Sequence, residues 1–172
     1  MKKVFGWIGY ALLFVLLVAL FLPKKELYFG AERLLQKHHV VVSDEKLQEN
    51  PIALVVKDGN LYVKGLLVGS FQKLSFYPDL LYNAVRLENF HKSRSISMIP
   101  DISIDSLDLF YTPFYPIKLF IKGEGSFGKV KGSVNLWYKK GVVDLFGKPG
   151  NLGKFVKLKK IEEGHYRYEF SY

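Results

Sequence analysis

The stretch Ile117-Lys118-Leu119-Phe120-Ile121-Lys122-Gly123-Glu124-Gly125-Ser126-Phe127-Gly128-Lys129-Val130-Lys131-Gly132-Ser133-Val134-Asn135-Leu136 decides the fold. Ile117, Leu119 and Ile121 alternate with Lys118, Phe120 and Lys122. After the glycines, Val130, Gly132, Val134 and Leu136 alternate with Lys129, Lys131, Ser133 and Asn135. A period of two places one set on each face of a strand, so each strand has a greasy side and a wet side. Gly123-Glu124-Gly125 reverses the chain too tightly for a parallel crossover, which makes the pair antiparallel.

The same period extends outward in both directions. Leu61, Val63, Gly65 and Leu67 alternate with Tyr62, Lys64 and Leu66 after the turn signal Asp58-Gly59-Asn60, which reads as a hairpin. Ile102, Ile104 and Leu107 to Leu109 form a further strand, as do Val142 to Phe146 and Phe155 to Leu158. Last come Tyr166, Tyr168, Phe170 and Tyr172, alternating with Arg167, Glu169 and Ser171. Further reversals are expected at Lys140-Gly141, Pro149-Gly150 and Glu163-Gly164. Gly59, Gly123, Gly125, Gly128 and Gly132 are read as turn glycines.

Residues 40–172 are therefore expected to form a curled antiparallel meander: a flattened barrel, a sandwich or a half-open trough. The stretch Pro78 to Asn89, with Leu80, Leu81, Ala84, Val85 and Leu87, fits a helix or a strand. The apolar face is assigned to Leu61, Val63, Leu119, Ile121, Val130, Val134 and Leu136.

The N-terminal part follows a different pattern. Val4 to Leu22 carries no charge over 19 residues and is flanked by Lys2 and Lys3 on one side and by Pro23, Lys24 and Lys25 on the other. At about 1.5 Å per residue the run is about 28 Å long, close to a bilayer's hydrocarbon core. Val4, Trp7, Tyr10, Leu13, Leu17, Phe21 and Leu22 mark this anchor, with Trp7 and Tyr10 suited to the head-group region. Leu20, Phe21 and Leu22 stand where a cleaved signal would carry small residues, so residues 1–23 read as an uncleaved transmembrane signal anchor. Flanking charges nearly balance, and a short N-terminus before a long apolar run favours export of residues 24–172. Residues 24–39 follow as a short amphipathic helix and linker, with Leu27, Ala31, Leu34 and Leu35 at helical spacing.

Composition narrows the chemistry. The chain of 172 residues is 49% hydrophobic, has no Cys, and carries a formal charge of +9. It folds, it holds no disulfide or thiolate site, and it favours anionic neighbours. Gly123, Gly125 and Gly128 satisfy G-x-G-x-x-G, but the strand expected after them rules out a dinucleotide fingerprint, which needs a helix there. His38-His39 reads as a solvated pair, since neighbouring residues cannot easily share one ion. Asp101, Asp105 and Asp108 read as strand-edge solvation, the odd spacing of the last pair breaking strand alternation. There is no nucleophile elbow, phosphate loop or zinc signature. An enzyme, a cofactor and a metal are accordingly not expected. Lys and aromatic residues interleave at Trp137-Tyr138-Lys139-Lys140 and from Lys154 to Lys160, but an exported domain meets lipid phosphates rather than nucleic acid.

The glycine block Ile117 to Leu136 resembles the hairpin of the type II secretion system protein N family, related in style to AsmA and TamB-like proteins. The anchor, the Leu22-Pro23 exit, the short helix and Val40-Val41-Val42 resemble that family in layout. The resemblance implies a single-pass protein of the bacterial inner membrane with a periplasmic β domain, accessory to envelope or type II secretion assembly and partnered by its proteins. The alternative it implies is a lipid-binding or transfer module holding phospholipid acyl chains in an apolar β trough.

Overall fold

In the computed structural model, residues 2–79, 81–94, 96, 101–149, 153 and 156–172 are described, residues 2–5 and 19 without their side chains. The side chain of Val4, and Leu80, Gly150, Lys154 and Phe155, lie outside the described residues.

Two helices, α1 (Lys2–Phe21) and α2 (Lys24–Lys37), precede eleven strands. These are β1 (Val40–Ser43), β2 (Lys46–Glu49), β3 (Leu54–Val63), β4 (Leu66–Tyr77), β5 (Asn83–Lys92), β6 (Ser103–Tyr111), β7 (Lys118–Gly125), β8 (Gly128–Asn135), β9 (Lys140–Phe146), β10 (Lys159–Glu162) and β11 (His165–Ser171). All belong to one antiparallel sheet in the order β1-β3-β4-β5-β6-β7-β8-β9-β11-β10. β1 and β2 share the outer edge of β3, pairing with Asn60–Val63 and Leu54–Lys57 respectively. The sheet is mainly a meander of tight hairpins, as expected. Its two edges do not pair and, among the described residues, there is no second sheet, so neither a barrel nor a sandwich forms.

Several expected boundaries move. Asp58-Gly59-Asn60 is not a turn: β3 runs through it, and the chain reverses instead at Lys64-Gly65, with φ of 52° and 78°. Two consecutive left-handed residues make the reversal that matches strand twist. The ambiguous stretch is strand β5, because β4 and β6 offer it hydrogen-bonding partners on both sides. Lys140 and Gly141 belong to β9, and the reversal before them is Leu136 to Lys139. Val156 to Leu158 are not strand; they lie over the apolar face. Of the glycines expected at turns, Gly125 and Gly128 flank one. Gly59, Gly123 and Gly132 stand within β3, β7 and β8.

An irregularity crosses the sheet. Asp58 and Asn89 adopt positive φ of 57° and 53°, and the β6–β7 register shifts between Ile104 and Ser106. By register, Asp58, Gln72, Asn89 and Asp105 form one row over four strands, all exposed, with Asn89 Nδ2 donating to Gln72 Oε1 at 2.9 Å. Two successive residues of β3, Lys57 and Asp58, face solvent here, and the apolar phase resets. Val56 and Leu74 lie on one side of the row and Leu61 and Phe71 on the other, yet all four belong to one packed cluster. A row of bulges of this kind bends a sheet. It also accounts for the odd spacing of Asp105 and Asp108.

The core sits at the β1–β3 end, where Tyr28 of α2 packs with Val42, Leu54, Val56 and Phe71. The docked face of α2 is only partly the expected stripe. Lys24 and Tyr28 are buried and Ala31 and Leu35 line a pocket against the sheet, while Leu27 and Leu34 are exposed. The reason is register: Lys24, Tyr28, Glu32 and Leu35 share one helical face, and Tyr28 is the side chain long enough to reach the sheet. Among the described residues no helix is long and apolar enough to cross a membrane. A helix does stand where the anchor was expected, with Trp7, Tyr10, Leu13, Leu17 and Phe21 exposed and Leu22 half-buried. That it crosses a bilayer is a proposal.

Candidate functional site

Strand alternation and register gather one apolar face. Leu74, Leu87, Leu107, Gly123, Val130, Leu145 and Tyr166 are successive cross-strand partners, one per strand from β4 to β11. The neighbouring row is Phe76, Val85, Leu109, Ile121, Gly132, Val143 and Tyr168. At about 4.8 Å per strand, the six strands β4 to β9 carry this surface for about 24 Å. Leu87, Leu107, Leu109, Ile121 and Val130 are only half-buried.

The face is covered at both ends and open between them. At one end, Tyr28, Ala31, Glu32 and Leu35 of α2 enclose a pocket of about 150 Å³ with Val42, Leu74, Phe76 and Val85. At the other, Val156 and Leu158 close over Val130, Val143, Leu145, Tyr168 and Phe170 around about 230 Å³. Among the described residues, no polar side chain other than that of Glu32 and the Tyr hydroxyls lines either pocket. Burial first, and the negative charges of Glu45 and Glu32 second, hold the Tyr28 hydroxyl protonated far above its ordinary range.

Of the residues assigned to this face from the sequence, Leu119, Ile121, Val130 and Val134 lie on it together, in β7 and β8. Leu61 and Val63 lie four strands away at the β1–β3 edge, where Leu61 packs against the core and both pair with β1. Leu136 falls in the turn after β8 and is exposed. Sequence reading missed Leu74, Phe76, Val85, Leu87, Val143 and Leu145. Their alternation was present, but only register with β6 and β8 aligns them with the others. The glycines in the rows have a shared effect: a Cβ at Gly123 would crowd Val130 and Leu107 at 3.0 and 3.1 Å, so glycine keeps the floor low.

The opposite face carries the ion pairs, beside a stack of Tyr82, Phe110 and Phe120. Arg86 holds Asp108 through two hydrogen bonds, which raise the Arg86 pKa further. Asp108 is thus an ion-pair partner rather than a solvated edge group, while Asp101 and Asp105 are exposed. Lys73 bonds Glu88 at 3.0 Å, and Lys122 lies over the Phe110 ring. Asp144 accepts Arg167 Nε at 2.8 Å and Nη2 at 3.1 Å, and lies 3.0 Å from His165 Nε2. Arg167's hydrogen bonds, with His165 adding to them, hold the Asp144 carboxyl below the usual carboxylate range against the opposing effect of burial. This group ties β9 to β11.

His38 and His39 are exposed at the C-terminal end of α2. Among the described residues, no three His, Asp or Glu side chains gather where a metal ion would bind. The glycine block forms β7, a Ser126-Phe127 turn and β8, with strand rather than helix after Gly128.

The chain matches no family model, no curated protein and no solved structure.

Proposed function

We propose that this chain is a membrane-tethered, non-enzymatic lipid-holding protein, with α1 as the tether in a bacterial inner membrane and the β sheet outside the cytoplasm. One observation carries this reading. An alkyl-lined surface crosses six strands, is capped at both ends and stays half-open between, while the ion pairs that join strands of the same sheet lie on its reverse face beside one aromatic stack. An acyl chain on that surface gains about 0.8 kcal/mol per buried methylene, enough to retain a phospholipid with its head group in water.

The test is native mass spectrometry of the full chain released from gently solubilised membranes. Phospholipid retained by the protein after detergent is stripped away supports the reading. A lipid-free mass under conditions that preserve the fold overturns it.

A second reading, docking onto envelope or secretion proteins, draws on β10, which is an open edge exposed along its whole length. Affinity capture from the same membranes checks it, and recovery of no envelope protein in stoichiometric amount counts against it.

A further inference from the structure

Every second reversal of the sheet falls on one rim, and the register shows which reversals share it. Glu49 pairs with Leu54, Tyr77 with Ala84, Tyr111 with Leu119, and Asn135 with Lys140. The connections β2–β3, β4–β5, β6–β7 and β8–β9 therefore emerge side by side. Their tips carry large apolar side chains turned to solvent: Ile52, Tyr82, Phe114, Tyr115, Trp137 and Tyr138, with Phe114 74% and Trp137 77% exposed.

These tips are held in place. Leu136 N donates to Ile117 O at 2.8 Å, which joins two adjacent connections, and Tyr172 N donates to Lys139 O at 3.1 Å. Asn135 Oδ1 accepts from the backbone N–H of both Trp137 and Tyr138, at 3.1 and 2.9 Å. Fixed aromatic residues exposed in a contiguous set this large mark an interaction surface. On the opposite rim the two-residue turns Lys64-Gly65, Ser126-Phe127 and Glu163-Gly164 carry one half-buried aromatic, Phe127, and five small or charged residues, while the longer β5–β6 connection there lies partly outside the described residues.

Two further features name the partner. Lys118, Lys139 and Lys140 are exposed at the bases of the same loops, and Trp and Tyr beside Lys is the composition of a membrane interface rather than of a dry protein contact. The chain from α1 also enters at this rim. Lys25, in the first turn of α2, lies 3.4 Å from Glu49 at the end of β2, and Leu27 N donates to Pro23 O.

From this juxtaposition we infer that the rim of loop tips seats on the surface of a phospholipid bilayer with anionic head groups, inserting Trp137, Tyr138, Phe114 and Tyr115 at head-group depth. The inference rests on α1 as the tether for which membrane it is, and not on the trough. It places the open surface with one end of its strands at the lipid.

Trp7 and Trp137 are the two tryptophans of the chain, and both are exposed. Full-length Trp7→Phe, with Trp137 as the sole tryptophan and excited selectively over the tyrosines, is reconstituted into vesicles of phosphatidylcholine and phosphatidylglycerol brominated high on the acyl chains. Trp137 is expected to emit blue-shifted light and to be quenched by the bromines. Trp137→Phe, reporting on Trp7, measures the tether separately in the same vesicles. Quenched Trp7 with unquenched, red-emitting Trp137 overturns the inference, leaves the tether standing and points to a protein partner for the rim. Quenched Trp137 with unquenched Trp7 supports the rim and overturns the tether. Both unquenched overturns both.

Discussion

Phe71 in β4 lays its ring over Gly59, its direct cross-strand partner in β3, so closely that a Cβ on Gly59 would collide with the ring. Phe170 in β11 covers its own partner, Gly141 of β9, in the same way. An aromatic ring over a glycine shields the exposed backbone and fills the space a side chain would take. Each end of the apolar face is thus built on a glycine that a sequence reading assigns to turns.

Gly59→Ala and Gly141→Ala are expected to destabilise the domain by about 1–3 kcal/mol each, because the ring must leave its place. Gly30→Ala in α2 meets nothing within 4 Å and relieves a helix-interior glycine, so it is expected to stabilise by up to about 1 kcal/mol. Chemical denaturation of the three variants checks both signs. Equal effects at the three sites would refute the shielding argument.

Asp144→Asn is expected to lower the thermal midpoint at neutral pH by loosening β11 from β9. The Asp144 carboxyl is depressed in the folded protein, so its contribution is present above the ordinary carboxylate pKa. It is lost as pH falls through the depressed value. The gap between wild type and variant should therefore close at acidic pH. A gap that widens on acidification would contradict the ion-pair assignment.

Leu107→Lys places a charge in the middle of the apolar face, and Ser106→Lys places the same side chain on the reverse face between Glu88 and Glu124. Retained phospholipid is expected to drop at least tenfold in Leu107→Lys, the equivalent of about 1.4 kcal/mol, and to be unchanged in Ser106→Lys. Native mass spectrometry with circular dichroism as a folding check reads both. Equal lipid on the two variants would place the lipid around α1 instead of on the sheet.

Leu13→Arg is expected to weaken insertion of the N-terminal helix by about 2.5–3.5 kcal/mol, giving partial release from membranes. Carbonate extraction measures the released fraction. A C-terminal alkaline phosphatase fusion, compared with a fluorescent protein that matures only in the cytoplasm, reads orientation. A dark phosphatase fusion with a bright fluorescent one would place the sheet in the cytoplasm.

Strand existence was legible locally, because alternation in Ile117–Ile121, Val130–Leu136 and Tyr166–Tyr172 is a property of each segment's own pleat. So was α2, whose span Lys24–Lys37 falls within the residues 24–39 read as helix and linker. The broken spacing of Asp105 and Asp108 was visible as an irregularity. What it meant was not, because a bulge is defined only against the strand beside it, and the row Asp58, Gln72, Asn89 and Asp105 spans four strands. β2 and β10 were missed, since four-residue edge strands carry too few alternations to stand out, and β4 was not read beyond Leu67. Which apolar residues share a surface was decided by tertiary structure alone. Leu87 and Val130 are 43 residues apart in the chain and three strands apart in the sheet, and only register places them in one row. The choice among barrel, sandwich and open sheet lay there too, because it depends on whether β1 and β10 meet, and edge pairing has no signature in either segment's own sequence.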